Sequence, residues 1–270
     1  MILALTLLIA ATTVPASAET KPKPPNSLRL YVFNCGSIKA MSVTTYGFKE
    51  GEVAPRDFVV TCYLVVHPKG ALMWDVGLTP DAALKPENPT KPLKAQLADV
   101  GYTPADISFL AMSHYHSDHT ANANDFVSAT WIVQKAEYDA MFADQPARIM
   151  APATFNALKN SKTKILMNED FDVFGDGKMV VKSAPGHTPG HQVLFLKFKK
   201  DGNMLLAGDL YHFPEEKTLN RFPTFEFNVP QSAASRTAID EFLKKNKAQM
   251  WISHDLATYE KAKKSPQYYE

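Results

Sequence analysis

Short apolar runs separated by turn residues divide the chain into predicted strands. Residues 28–34 alternate between apolar and polar positions, and residues 58–66 and 71–76 form two apolar runs around the turn Pro68-Lys69-Gly70. Alternation with a period of two is typical of a half-buried strand, and a short continuous apolar run is typical of a fully buried one. The same reasoning predicts further strands at residues 107–112, 131–134, 179–183, 193–198, 204–207 and 251–252.

Helical spacing of apolar residues occurs at three places between these strands. Residues 93–100 have this spacing and stop at Gly101, residues 136–142 begin a second helix, and residues 232–246 place their apolar side chains on one helical face. Hairpins come first, and strands then alternate with helices. This order predicts an α/β fold in which two mixed sheets pack together and helices cover them outside.

Composition favours a packed core and a small-molecule substrate. The chain has 270 residues, of which 45% are hydrophobic and 21% are charged, so disorder is not expected. Its 29 basic and 28 acidic residues give a formal net charge of +1. A basic block of the kind that binds nucleic acid is missing from the sequence, so we expect no nucleic-acid partner.

The N-terminus resembles an export signal rather than part of the fold. Residues 2–11 are apolar, and the small-residue pattern Ala16-Ser17-Ala18 predicts a cleavage site after residue 18. The expected organisation is a signal peptide at residues 1–18, a linker at residues 19–27 and a hydrolase domain at residues 28–270. A positively charged segment before the apolar run is missing, so a buried or disordered tail is the competing interpretation. With no cysteine near the cut, we expect a periplasmic or secreted protein without a lipid anchor.

The two cysteines are consistent with either redox state. An exported chain permits a disulfide between Cys35 and Cys62. Both lie in apolar, strand-like segments, so two buried free thiols are an equally good interpretation. Two cysteines do not make a disulfide scaffold in a chain of this size.

Ligand-type side chains follow four of the predicted strands. The first block is the H-x-H-x-D-H run at residues 114–119, and the later blocks contain His187, Asp209 and His254. Turns at strand ends bring side chains to one edge of a sheet, so we expect these blocks to converge. Imidazole and carboxylate groups together favour zinc or a similar first-row divalent ion. The sequence therefore predicts a metal centre.

The spacing predicts two ions per chain. The expected ligands of the first ion are His114, His116 and His187, those of the second are Asp118, His119 and His254, and Asp209 is expected to bridge the two. Two such ions can share a hydroxide that attacks a carbonyl carbon near neutral pH. Three neighbouring side chains are expected to lie outside the ligand set: His191, which should support its turn, Asp255, which should be exposed, and His212.

These motifs resemble the metallo-β-lactamase superfamily, and within it the N-acyl homoserine lactonases that degrade quorum-sensing signals. The resemblance extends over nearly the whole mature chain and includes Asp75-Val76-Gly77 and the segment Ser253-His254-Asp255. It implies an αβ/βα sandwich with the metals at one edge and a lactone ring as the substrate. It also implies that Asp75 orients metal ligands and that Asp118 protonates the leaving alkoxide.

One position departs from the lactonase pattern. Lactonases of this type resemble one another in having a tyrosine three residues after the bridging aspartate, where it contacts the substrate carbonyl. Here that position is His212, and Tyr211 lies two residues after Asp209, so either side chain is a candidate for the contact. A set of loop aromatics is a candidate lining for an acyl-chain groove, and core packing is the alternative for them: Tyr46, Phe48, Phe222, Phe225 and Phe227.

Other functions fit the same motif less well. A β-lactam or general ester hydrolase would share the mechanism, although the cysteine ligand common in two-zinc β-lactamases is replaced here by Asp209. A persulfide dioxygenase or a flavo-diiron protein would be a redox enzyme of the superfamily. The flavo-diiron pattern has a glutamate where this chain has His116, and no flavin domain follows. A metal-binding module without catalysis would be favoured by a lost ligand, and none of the expected ligands is lost.

Overall fold

The computed structural model describes residues 23–145, 147 and 149–270. The predicted signal peptide and residues 19–22 of the predicted linker lie outside the described residues. The described strands are β1 (Arg29–Ile38), β2 (Phe58–His67), β3 (Gly70–Trp74), β4 (Phe109–Ala111), β5 (Thr130–Gln134), β6 (Thr163–Leu166), β7 (Phe171–Asp172), β8 (Met179–Ser183), β9 (Gln192–Lys197), β10 (Asn203–Leu206), β11 (Ala248–Trp251) and β12 (Tyr268–Tyr269). The α-helices are α1 (Leu93–Asp99), α2 (Ser117–Thr120), α3 (Lys135–Met141), α4 (Pro214–Leu219), α5 (Val229–Asn246) and α6 (Leu256–Lys261).

The strands form two mixed sheets. The first has seven strands in the order β12-β1-β2-β3-β4-β5-β6, and the second has five in the order β11-β10-β9-β8-β7. Strands β3 to β6 run parallel to one another, while β1, β2 and β3 form antiparallel pairs. In the second sheet β10 and β11 are parallel, and β9 is antiparallel to both β8 and β10.

The core lies in three layers that follow from the strand periodicity. Every residue of β2 is buried. Its side chains alternate, so Tyr63 and Val65 pack between the sheets while Leu64 packs beneath the helices on the outer face. Helices α1 and α3 cover the first sheet, and Ile239 and Leu243 of α5 cover the second. The result is the αβ/βα sandwich that the motifs imply.

Some predicted boundaries differ from the structure. The strand predicted at residues 71–76 ends at Trp74, because Asp75 adopts a left-handed backbone conformation with φ of 54°. The strand predicted at residues 107–112 is shorter in the structure and spans Phe109–Ala111. Cys35 and Cys62 form a disulfide that joins β1 to β2, so the interpretation as two free thiols is wrong for this structure.

Candidate metal centre

The four blocks of ligand-type residues meet at one edge of the sandwich. The turns after β4, β8, β10 and β11 carry them, and β8, β10 and β11 all point the same way because β9 runs antiparallel to its two neighbours. In the first sheet β3 is parallel to β4, so Asp75 arrives at the same edge as the run that begins at His114. The topology therefore explains why residues far apart in the sequence converge.

The first donor group contains His114, His116, His187 and Asp209. One donor atom of each lies within 4.8 Å of the others, and all four residues are buried. His116 offers Nδ1, which lies 3.2 Å from Nε2 of His187. Nε2 of His114 and Nε2 of His187 each lie 3.7 Å from Oδ2 of Asp209.

The second donor group contains Asp118, His119 and His254, whose donor atoms also lie within 4.8 Å of one another. Nε2 of His119 lies 3.3 Å from Oδ1 of Asp209, and Nε2 of His254 lies 3.2 Å from the same oxygen. The two oxygens of Asp209 thus face different groups. The structure brings together all seven residues that the sequence predicts as ligands, with Asp209 between the two sets.

The chemistry of these donors fits divalent metal ions. Among the described residues, several buried atoms that face one another at this site have no hydrogen-bond partner: Nε2 of His114 and of His119, and Oδ1 of Asp209. Buried polar atoms are normally satisfied, so a cluster of unpaired donors that face one another is what a cation site requires. Burial holds the pKa of His114, His116 and His187 well below the usual value, which keeps these rings neutral and able to bind metal.

Asp75 fixes the start of the H-x-H-x-D-H run. Its Oδ1 accepts a hydrogen bond of 2.6 Å from the backbone N–H of Ser113, and its Oδ2 lies 3.1 Å from Nδ1 of His119. A carboxylate on the far nitrogen of a histidine orients the ring towards a metal and raises its basicity. Asp75 therefore has the contacts that the resemblance implies. Its left-handed backbone, uncommon outside glycine, turns the carboxylate inwards.

Two further buried carboxylates support the site and were missed in the sequence. Oε2 of Glu226 lies 2.9 Å from Nδ1 of His187, and Glu226 also accepts a hydrogen bond from Ser232 of α5. The signal that could have identified it is a single acid between Phe225 and Phe227. Such an acid interrupts an aromatic segment and so requires a polar partner if it is buried.

The second missed carboxylate is Glu137, at the start of α3. It accepts hydrogen bonds from the backbone N–H of Tyr115 at 2.7 Å, from Oγ1 of Thr188 at 2.8 and 2.9 Å, and from the backbone N–H of Gly190 at 2.8 Å. A Cβ on Gly190 would lie 2.5 Å from the backbone nitrogen of Glu137, so only glycine permits this approach. Burial raises the pKa of Glu137 to about 7. This side chain ties together the two turns that carry the three histidines of the first group.

His191 lies where the sequence places it, and Asp255 lies outside both donor groups but is less exposed than the sequence predicts. Nδ1 of His191 donates to the carbonyl oxygen of Ala184 at 3.1 Å, and its Nε2 accepts from the backbone N–H of Asp209 at 3.1 Å. Both ring nitrogens are therefore used within the protein, so His191 supports its turn. Asp255 is half-buried rather than fully exposed, and it accepts a hydrogen bond from Thr258 as α6 begins.

The structure separates the two candidates that follow the bridging aspartate. His212 is buried at the site, with Nε2 3.1 Å from Oδ2 of Asp209. Nδ1 of His212 lies 3.4 Å from Glu216, a buried carboxylate paired with Arg236 at 2.8 Å. Tyr211 instead packs in the core of the second sheet, with its ring under the guanidinium of Arg236, and does not line the cavity above the donor groups. Of the two candidates, the structure therefore brings only His212 to the cavity.

A cavity of about 570 Å³ opens above the donor groups. His116, Asp118, Asp209, His212 and His254 form its polar floor, and its wall is mainly apolar, formed by Ile38, Met41, Tyr46, Phe58, Leu78, Ile149 and Phe225. Of the loop aromatics predicted to line a groove, Tyr46 and Phe225 do so. The remaining three do not: Phe48 packs against Phe213, Phe222 lies under Arg236, and Phe227 is exposed outside the lining.

Comparisons with known proteins agree with this geometry. A family model described as the metallo-β-lactamase superfamily matches residues 55–248. The N-acyl homoserine lactonase AttM of Azorhizobium caulinodans is 27% identical over 261 residues, covering 90% of this chain and 99% of that protein. An N-acyl homoserine lactonase of a Bacillus species is 28% identical over 228 residues, covering 78% and 87% of the two chains. The structure of an N-acyl homoserine lactone hydrolase, with the product N-hexanoyl-L-homoserine bound at its catalytic metal centre, is 25% identical with a TM-score of 0.75, covering 89% of this chain and 98% of that one.

Proposed function

Because the chain belongs to the metallo-β-lactamase superfamily, we propose that it is a metal-dependent hydrolase that opens the lactone ring of N-acyl homoserine lactones. The observation that carries the proposal is the convergence of seven donor side chains, in two groups on either side of Asp209, beneath a mainly apolar cavity. Relatives that match nearly the whole chain include lactonases of this class. A ring ester at the polar floor and an acyl chain along the apolar wall match this division of the cavity.

We propose that the two donor groups hold two zinc ions. Nitrogen and oxygen donors that are mostly buried, with three of the histidines held neutral by burial, support a first-row divalent ion. When bound, the pair would supply an activated water near neutral pH and polarise a carbonyl oxygen. The protein contributes rigid donors, because Asp75, Glu226 and the carbonyl oxygen of Val59 hold the far nitrogens of His119, His187 and His254.

We propose that two side chains at the cavity floor act directly on the substrate. His212 replaces the lactonase tyrosine, and its imidazole is placed to orient the lactone carbonyl oxygen beside Asp209. Water adds to the carbonyl carbon, the ring C–O bond breaks, and the ring oxygen departs as an alkoxide. Asp118, whose side chain is 16% exposed and lines the cavity, takes the proton that the attacking water releases and gives it to this oxygen, and the product is an open-chain hydroxy acid.

The test is a substrate screen on purified mature protein with its metal content measured on the same sample. Acyl homoserine lactones of several chain lengths, simple aryl esters and a chromogenic β-lactam would be compared, with the Asp209→Asn variant as the inactive control. We expect the lactones to have the highest kcat/KM, rising with acyl length because each buried CH₂ contributes about 0.8 kcal/mol. Faster hydrolysis of the esters or the β-lactam, with a flat profile across acyl lengths, would reject the lactonase assignment.

We also propose that the protein is exported to the periplasm or secreted. The support is the apolar N-terminal run with its small-residue cleavage pattern, together with the Cys35–Cys62 disulfide, since disulfides persist outside the reducing cytosol. Within the described part of the chain, each helix is too short or too polar to cross a bilayer. N-terminal sequencing of the mature protein from its native host should begin at Glu19. An intact Met1 on a cytosolic protein would contradict the proposal.

A further inference from the structure

Tyr46 stands between the floor and the mouth of the cavity. It ends a short 3₁₀ turn (Val43–Tyr46), and its side chain is almost completely buried although it lines the cavity. Gly47 follows with φ of 79°, and a Cβ there would lie 2.2 Å from the carbonyl oxygen of Phe222, so the chain turns tightly against that segment. The position of Tyr46 is therefore fixed by its backbone.

Aromatic rings hold the side chain of Tyr46 in one orientation. Its ring centroid lies 5.0 Å from that of His212, 5.1 Å from that of Phe213 and 5.3 Å from that of Phe58. The ring of Phe225 contacts it edge-on at 5.8 Å. Rings at these separations pack favourably and leave little freedom for rotation of the side chain. The ring of Tyr46 thus contacts the floor at His212, while its hydroxyl is directed towards Sδ of Met41.

The hydroxyl of Tyr46 lacks a strong partner. Among the described residues its one hydrogen-bond partner is Sδ of Met41, at 3.4 Å, and a thioether sulfur is a weak acceptor. Met41 is 44% exposed and lines the cavity at its mouth. Burial, with the charges of Asp209 and Asp118, raises the pKa of Tyr46 above its usual value, so the phenol keeps its proton and is a donor. A buried phenol normally finds a better acceptor than sulfur, so this donor is available to a ligand.

We propose that Tyr46 is a specificity-determining residue whose hydroxyl donates a hydrogen bond to the amide carbonyl oxygen of the substrate. This inference rests on the proposed function. In an N-acyl homoserine lactone the amide lies between the ring and the acyl chain. A ring ester at the floor, beside His212 and Asp209, places the amide one step towards the mouth, where the hydroxyl points at Met41. Lys39 at the same wall is already paired with Asp57 at 2.9 Å.

The test compares Tyr46→Phe with the wild type on two γ-lactones that each carry an apolar tail. N-decanoyl homoserine lactone carries the amide, and γ-decanolactone does not. We expect kcat/KM of the variant to fall about fivefold to tenfold on the amide substrate, as expected for one neutral hydrogen bond, and to change less than about twofold on γ-decanolactone. The loss should appear in KM rather than kcat, because the amide contact is the same in the ground and transition states.

The matched control is Tyr102→Phe, which removes a hydroxyl from a buried tyrosine that does not line this cavity. This substitution should leave kcat and KM unchanged for both lactones. Metal content and melting temperature would be measured on each protein. A second variant, Met41→Gln, keeps the hydroxyl of Tyr46 but gives it a strong acceptor within the protein, and it should raise KM for the amide substrate alone. Met41→Gln tests whether the hydroxyl of Tyr46 donates to the substrate amide even if Tyr46→Phe does not fold.

The outcomes separate the two proposals. Unchanged kinetics of Tyr46→Phe, or an equal loss on both lactones, would overturn the assignment of Tyr46 while the lactonase function stands. A wild-type protein that opens neither lactone, with both metals present, would overturn the proposed function and this inference together. A selective rise in KM for the amide substrate in both Tyr46→Phe and Met41→Gln supports the assignment.

Discussion

At the residue scale, three of the five candidate ligand histidines are held by the nitrogen that does not face the other donors. Nδ1 of His119 meets Asp75, Nδ1 of His187 meets Glu226, and Nδ1 of His254 donates to the carbonyl oxygen of Val59 at 2.9 Å. These contacts leave Nε2 of each of these three rings as the nitrogen able to bind a metal ion. The free nitrogens then meet at the carboxylate of Asp209, so the geometry of the centre depends on that one side chain more than on any single ring.

Replacing Asp209 by asparagine tests the shared position. The amide side chain would offer one acceptor oxygen where His119 and His254 face one oxygen and His114 and His187 face the other. We expect wild-type protein to contain close to two divalent ions and Asp209→Asn to lose at least one, with turnover reduced about a hundredfold or more. Elemental analysis and steady-state kinetics on the same samples check this. Full metal content with near wild-type turnover would remove Asp209 from the centre.

The two histidines of the Gly186–His191 turn should respond differently to substitution. His187→Ala should abolish activity by removing a donor, whereas His191→Ala should mainly lower stability, because His191 hydrogen-bonds within the protein. If metal content falls in His191→Ala and not in His187→Ala, the roles are reversed.

The same turn gives a dependence of stability on pH. Burial lowers the pKa of His191 to about 3, against 6.5 for an ordinary histidine, so between these values the unfolded chain binds a proton that the folded chain does not. Stability therefore rises with pH across this window and is lost as pH falls. In metal-free protein the stability advantage of wild type over His191→Ala should shrink by about 4–5 kcal/mol between pH 7 and pH 3. Urea unfolding at several pH values measures it, and a pH-independent difference would contradict the assigned contacts.

At the scale of elements, the apolar patterns predict the long strands well and the short elements poorly. The run at residues 58–66 corresponds to β2 within one residue, and the helical face at residues 232–246 belongs to α5, which begins three residues earlier. Strand β6 was missed because Thr163–Leu166 contains only two apolar residues, and β12 because Tyr268–Tyr269 pairs only with β1. Such elements are stabilised by their neighbours rather than by their own periodicity.

The donor motifs were predictable for the same reason that the long strands were, since both are local in sequence. His114, His116, Asp118 and His119 lie within six residues, and each later donor follows an apolar run. The fold and the family that these motifs imply are confirmed by the family model and by the related structures. Glu137 was not predictable, because its partners lie 22 to 53 residues away and nothing in its local sequence marks the contact. Glu226 is marked only by its place between two phenylalanines, and its histidine partner lies 39 residues away.

The contact of Glu137 with two turns predicts a selective effect on metal binding. In Glu137→Gln one acceptor oxygen becomes an amide that faces the donors of Tyr115, Thr188 and Gly190. The turns that carry His114, His116 and His187 should loosen, and affinity for the more weakly held ion should fall by about tenfold or more. Chelator competition measures this. Asp139→Asn, an exposed substitution on the same helix, is the control, and equal affinities in wild type and Glu137→Gln would contradict the prediction.

At the scale of the whole molecule, the site depends on how two sheets are held face to face. The first sheet supplies four of the seven donors and the second supplies three. Val65, Leu72 and Trp74 pack from the first sheet against the second in one continuous apolar layer. Burial of this layer sets the separation of the two donor-bearing edges, so the core between the sheets positions the centre.

The disulfide should contribute to the stability of the first sheet. It links Cys35 and Cys62 across a sequence separation of 27. Closing a loop of this size lowers the entropy of the unfolded chain and so raises the free energy of unfolding by about 3–4 kcal/mol. We expect a reducing agent to lower the melting temperature of the metal-free protein by about 10 °C. Cys35→Ser should melt near the reduced wild-type value and should not respond to the reductant. A wild-type melting temperature that is the same with and without the reductant would contradict a disulfide between the two cysteines.

The division of donors between the two sheets has a consequence for the order of biosynthesis. A chain made from its N-terminus presents four donors by His119, whereas Asp209 and His254 follow much later in the sequence. A nascent fragment that stops before residue 254 lacks a donor of the second group. The complete centre therefore forms only after that residue is made and the two sheets have closed, so the ions available where the chain folds determine which metal the centre carries.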